Sequence, residues 1–337
     1  MRIAVDVMGG DLGPRGMVAG AARAFEEYGS DMILVGDERI IRSELRELGK
    51  SESPLEIMHA PESISMDEDP LSAVRHKRDS SLVVGARLVR DGSAGALVSA
   101  GSTGALVAAG PLVVGRIPGV ARPALATPIP TTGNPCVMLD VGANPECRPE
   151  HLLQFAVLGA AYAASVFHIE RPRVGLLSNG AEASKGNAVT VAAHKMLEDQ
   201  SRLEFVGNVE SRLLLQGVAD VIVTDGFTGN IALKLMEGVG LTIFEMVREA
   251  AASSMRAKVG GLLMKPALRS VKARMDYSEY GGAPLLGLSG LLVKAHGSSN
   301  AKAFANAIRV AGEAMDSGLT LRMREGIGNL GAIPEAE

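Results

Sequence analysis

A chain of 337 residues with 47% hydrophobic content and a net charge of −4 has material for a large core, which excludes a disordered protein. The pI of about 5.9, the 3% aromatic content and the absence of Trp argue against a nucleic-acid binder, which needs basic charge and stacking platforms. Cys136 and Cys147 are too few for a disulfide framework and read as reduced structural thiols of a cytosolic protein. The N-terminal MRIAVDVMGGD lacks the apolar core of a signal peptide, and no apolar run reaches the roughly 18–20 residues of a membrane span.

In chain order, apolar β-rich runs alternate with helical periodicity. Strand 3–7 is followed by helix 15–28, strand 32–35 by helices 38–48 and 80–90, and strand 96–98 by helix 103–114. The stretch 115–142 breaks the rhythm with Pro118, Pro123, Pro128, Pro130 and Pro135, and reads as extended, irregular chain apart from a strand at 136–139. Helix 149–166, strand 174–177, helix 188–200, strands 204–206 and 221–223, helix 230–252, strand 291–293 and helix 300–317 complete the pattern. Doubly buried strands spaced by amphipathic helices predict an α/β chain: a three-layer α/β/α sandwich with a mostly parallel sheet. Residues 1–337 are expected to form a single domain, with 255–280 as a basic helical projection within it.

No dinucleotide fingerprint, P-loop, HExxH motif, EF-hand loop or nucleophile elbow is present. His59, His76, His151, His168 and His194 are scattered and read as structural or exposed. The chain instead carries Gly-rich loops, each after a strand and before a helix: MGGDLGP, SAGSTGAL, SNGAEASKGN, TDGFTGN and AHGSSN. In an open α/β sheet such loops gather at the carboxyl ends of the strands, where backbone N–H groups and helix N-termini favour an anion. They point to phosphate or a phosphorylated compound, with Gly9, Gly10, Asp11, Ser102, Thr103, Gly104, Asn187, His296 and Ser298 as candidate contacts. Lys185, in S-K-G-N at a helix start, faces either an anionic ligand or solvent, since the helix dipole does not welcome a cation there. Asn230 either caps the helix after it or donates to an oxyanion. With no Ser–His or Cys–His nucleophile in view, direct attack by a ligand-supplied nucleophile such as phosphate fits.

Nine motifs in order carry a resemblance: AVDVMGGDLGP, VSAGSTGAL, RPALATPIPT, LDVGAN, PRVGLLSNGAEASKGN, GNVESR, DVIVTDGFTGN, YGGAPLLGL and KAHGSS. With them the chain closely resembles the acyl-ACP:phosphate acyltransferases, the PlsX family of phospholipid synthesis, from Arg2 to about Met315. The resemblance implies transfer of an acyl group from acyl carrier protein (ACP) to inorganic phosphate, giving acyl phosphate and free ACP. It implies a homodimer, a fold related to phosphotransacetylases and isocitrate-dehydrogenase-like enzymes, and no metal or organic cofactor. It assigns the active-site Lys and Asn to Lys185 and Asn230. Ser102 and Ser178 depart from the family pattern, which has Asn at the first position and often at the second. The alternatives are a phosphotransacetylase acting on an acyl-CoA, a metal-dependent dehydrogenase, for which no carboxylate cluster is evident, and a membrane scaffold.

Within 255–280, the run VGGLLMKPALRSVKAR begins apolar and ends basic. Pro266 suits the first turn of a helix, with Met264, Leu268, Val271 and Met275 on one face. The resemblance implies a projection that touches the membrane and lies near the ACP approach. Val259, Leu262, Leu263 and Met264 are expected to meet lipid, while Lys265, Arg269, Lys272 and Arg274 draw anionic headgroups or the acidic carrier. The expected setting is the cytoplasm, at the inner face of the cell membrane.

Overall fold

The computed structural model describes residues 1–51, 53–275 and 281–330. Among the described residues eleven strands form one sheet: β1 (Ile3–Asp6), β2 (Met32–Gly36), β3 (Glu56–His59), β4 (Ala96–Ser99), β5 (Ala124–Ile129), β6 (Cys136–Leu139), β7 (Arg173–Ser178), β8 (Glu204–Glu210), β9 (Val221–Val223), β10 (Ala283–Leu286) and β11 (Leu291–Lys294). Their order is β3-β2-β1-β4-β11-β10-β5-β6-β9-β7-β8. Alternation across the pleat sends side chains to two cores. Ile3 and Val5 pack on one face with Met17 of α1 (Gly13–Tyr28) and Phe304 of α10 (Ala301–Asp316). Ala4 packs on the other with Leu82 and Ala86 of α4 (Ser81–Arg90).

The remaining helices fill these two layers. They are α2 (Glu38–Glu47), α3 (Pro70–His76), α5 (Thr103–Ala109), continued by a π-helical turn at Gly110–Val114, α6 (Pro149–Val166), α7 (Ala188–Glu198) and α11 (Leu319–Gly328). The three-layer sandwich is as expected. The mostly parallel sheet is as expected too, with its antiparallel pairs, β11–β10, β10–β5 and β5–β6, gathered at the centre. One half (β3, β2, β1, β4, β11) therefore runs opposite to the other (β6, β9, β7, β8).

The irregular stretch 115–142 conceals β5. Pro128 lies inside that strand, opposite Val137 of β6. Its missing N–H is tolerated because β10 pairs only with Ala124 and Leu125, which among the described residues leaves that flank of Pro128 without a partner strand.

Two long helices, α8 (Gly226–Ala252) and α9 (Met255–Met275), pack against each other. Pro266 stands inside α9, not in its first turn, and VGGLL is helical. Met264 and Val271 are exposed on α9. No described helix is long and apolar enough to cross a membrane.

Candidate active site

Six strand-to-strand steps separate β1 from β9. At about 20–25° of twist per step, the second half is turned through more than a right angle. Reversed polarity and this rotation together aim the carboxyl ends of both halves to a common side. Helix α8 links them. It starts at the end of β9, and its Lys234 and Glu237 act electrostatically on His296, in the loop after β11.

The first loop cluster is built on buried charge. Asp6, at the end of β1, accepts from Ser99 Oγ at 2.6 Å and from the Met8 N–H at 3.1 Å. Ser99 Oγ accepts in turn from the Gly101 N–H at 3.1 Å. The loops after β1 and β4 touch at their glycines: a Cβ on Gly9 would lie 2.6 Å from the Gly101 nitrogen. The Asp11 N–H donates to Gly297 O at 2.8 Å, which ties in the loop after β11. Gly9, Gly10, Asp11, Ser102, His296 and Ser298 thus belong to neighbouring loops, and Thr103 and Gly104 open α5 beside them. Ser102 has a second duty, since its hydroxyl caps α5 by accepting from the Ala105 N–H at 3.4 Å. His296 Nδ1 lies 2.8 Å from Ser298 Oγ. Desolvation holds the His296 imidazole below its ordinary pKa; Lys294 and Lys234 push the same way, and Glu237 and Asp11 oppose.

Lys294 ends β11, is 9% exposed, and donates to the carbonyls of Ala100 and Ala295. Burial pushes its ammonium down to about 8, against the opposing pull of Asp11 and Asp6. Below that pH the fold bears a buried cation. Between about 8 and the ordinary 10.5 the unfolded chain holds a proton the folded chain has released, so stability rises with pH across that window. The difference in melting temperature between the native chain and Lys294→Met should therefore change from pH 7.5 to about 10 in favour of the native chain. A constant difference would show that Lys294 does not titrate there.

The second cluster centres on Asp140, fully buried directly after β6. Its Oδ1 accepts from the N–H groups of Leu125 (3.0 Å), Gly142 (3.1 Å) and Ala143 (3.0 Å). Its Oδ2 accepts from the Asn144 N–H (2.6 Å) and Nδ2 (2.8 Å). Burial raises the Asp140 pKa while these N–H donors oppose the rise. Helix α8 starts directly against this loop. The Gly226 N–H donates to Asn144 O at 2.8 Å, and a Cβ on Gly229 would fall 1.9 Å from Asp140 O. Only glycine lets the helix approach so closely.

Asp225 caps α8, its carboxylate accepting from the Thr228 N–H and Oγ1, each at 2.8 Å. Asn230 is thus not the cap. It lies one turn inside the helix, exposed, beside Gly142. The same division holds after β7. Asn187 caps α7, accepting from the Thr190 N–H at 2.8 Å, and Lys185 stands in the loop before it, exposed. The backbone around Lys185 is fixed from outside: Asn208 Nδ2 donates to Glu182 O at 2.8 Å and to Lys185 O at 3.5 Å. Asn208 is set by His194, whose Nδ1 lies 2.8 Å from its Oδ1. Ser178 Oγ is buried with no hydrogen-bond partner among the described residues.

Asp6, Ser99, Lys294, Asp140, Asn144 and Asn208 were not singled out from sequence. The signal was there for three of them: a charged residue ending an apolar strand run, as in IAVD, VMLD and LLVK. Neither cysteine is a ready nucleophile, because burial pushes both thiols up to about 12.

Of the docking residues, Val259, Leu262, Leu263, Met264, Lys265 and Arg269 are exposed on α9. The side chains of Lys272 and Arg274, and residues 276–280 of the expected projection, lie outside the described residues.

A family model described as "Fatty acid synthesis protein" matches residues 1–322. A phosphate acyltransferase from Pelotomaculum thermopropionicum is 50% identical over 97% of this chain and 95% of its own. One from Moorella thermoacetica is 51% identical over 95% and 94%. Among solved structures, a phosphotransacetylase from Streptococcus pyogenes superposes with a TM-score of 0.64 at 20% identity, covering 94% of both chains. The EutD phosphotransacetylase from Staphylococcus aureus does so with 0.62 at 19%, covering 93% and 94%. These likenesses in structure bear on the fold.

Proposed function

The chain belongs to the phosphate acyltransferases of fatty acid synthesis, the PlsX family, and from that premise we propose that its acyl donor is acyl-ACP and that Lys185 and Asn230 serve the reaction. The reaction class is acyl transfer to phosphate. An oxygen of hydrogen phosphate attacks the thioester carbonyl, the C–S bond breaks, and the phosphate proton ends on the leaving thiol. Acyl phosphate and free ACP result. Phosphate is already an anionic nucleophile near neutral pH, so the protein must supply positioning and charge balance.

The observation that carries the reading is the division of labour at two helix starts. Asn187 and Asp225 take the capping duties, which leaves the side chains of Lys185 and Asn230 exposed and, among the described residues, unspent. In this reading Lys185 draws phosphate and offsets negative charge as the thioester is attacked. Asn230 orients phosphate or the acyl oxygen. The assay is phosphate-dependent release of ACP from a series of acyl-ACPs, with acyl-CoA in parallel. Release is expected from acyl-ACP; none at any chain length would overturn the donor assignment.

A homodimer and a peripheral membrane contact complete the proposal. Phe227, Ile231, Leu235 and Val239 recur every four residues along α8 and are exposed, an apolar stripe suited to a second copy. On α9, Val259, Leu262, Leu263 and Met264 are exposed beside Lys265 and Arg269, an arrangement that favours an anionic lipid surface.

A further inference from the structure

On the face of the sheet covered by α3 and α4 lies a cavity of about 440 Å³, apart from the glycine loops. Val74, Val83, Leu112 and Val113 make its apolar bed, and Arg75, Arg78, Arg87 and Arg90 surround it. Val83, Arg87 and Arg90 fall on one face of α4. Arg87 is partly spent, donating to Arg78 O at 2.7 Å and to Asp79 at 3.2 Å, and Arg90 pairs with Asp91 at 2.8 Å. Among the described residues, Arg75 and Arg78 have no carboxylate partner. Four guanidinium groups against two carboxylates leave a positive island on a chain whose net charge is −4.

We infer that this island is where the acidic carrier protein of the acyl donor docks, an inference that rests on the acyl-ACP reading above. A charged rim of arginines around an apolar centre is the anatomy of a protein interface. It complements an acidic helix that sets one apolar side chain over Leu112 and Val113. Arg75, Arg78 and Arg90 are exposed, which suits a macromolecular face better than a small anion, and a concave bed does not suit a flat bilayer. The location fits as well. Pro70, the first residue of α3, packs on Gly104 in the first turn of α5: a Cβ there would lie 2.6 Å from the proline ring. The island is therefore about one length of α3, roughly 10 Å, from the Ser102–Thr103 loop. A carrier seated there can extend its acyl-bearing arm into the cleft. The assignment leaves the basic side chains of α9 for lipid.

The test compares Arg75→Glu/Arg78→Glu with Lys265→Glu/Arg269→Glu in the full-length protein, with thermal melting to show that both are folded. The first variant should raise KM for acyl-ACP about tenfold at low ionic strength, with kcat and KM for phosphate kept. The gap from the native chain should narrow as salt rises. The second should lose binding to anionic vesicles and keep its KM for acyl-ACP. An unchanged KM for acyl-ACP in the first variant overturns the inference. So does a shift in KM for phosphate instead, which would make the cavity a small-anion site. If the native chain releases no ACP from any acyl-ACP, the donor assignment itself falls and takes this inference with it.

Discussion

Lys185→Ala is expected to lower kcat/KM by about 10²–10³-fold, the scale for losing one charge-stabilising group at a reacting centre. The fold should hardly notice. Lys185 is exposed, and its loop is fastened through backbone carbonyls by Asn208, not through the lysine side chain. Exposed substitutions away from caps and cores cost within about 0.5 kcal/mol. Activity and stability should therefore separate: turnover lost, melting temperature kept. Steady-state kinetics with acyl-ACP and phosphate, beside calorimetry, make the measurement. Near-normal activity would remove Lys185 from the mechanism.

Asp140→Asn should do the reverse and strike the fold first. Five N–H donors converge on the two carboxylate oxygens of a fully buried side chain. An amide of the same shape keeps one acceptor and turns the other into a donor facing donors. Hydrogen bonds to charged groups contribute about 1.5–3 kcal/mol each, so the loss should reach about 3–5 kcal/mol in urea denaturation. Because Gly226 and Gly229 of α8 pack on this loop, activity should fall with stability. A loss under about 1 kcal/mol would mean that the loop tolerates an unfilled acceptor and does not anchor α8 as described.

These two substitutions mark what the sequence could and could not disclose. Lys185 was legible because a cation stood where a helix start prefers an anion or a hydroxyl. Asp140 was legible only as a charged residue closing VMLD, which says nothing of the five donors that chain folding brings to it. Asn230 was half legible. The sequence offered capping or ligand contact, and Asp225, five residues earlier, takes the cap. Doubly buried strands such as β1 and β9 were plain from their apolar runs. Three strands were missed for separate reasons. Edge strand β3 is short and half polar, β5 carries Pro128 at its free flank, and β10 follows the Gly- and Pro-rich stretch after α9. Helix α9 runs through Pro266 because it packs on α8, which local proline chemistry does not reveal.

The position of β10 and β11 has a consequence for how the chain comes to exist. They are the last strands among the described residues, yet they sit at the centre of the sheet, between β4 and β5. As the polypeptide leaves the ribosome, the two half-sheets stand ready with their inner edges bare, and only residues 283–294 can join them. Unpaired edges template unwanted pairing, and long-range closure is slow. A nascent chain stalled before residue 283 is thus the species most in need of a chaperone.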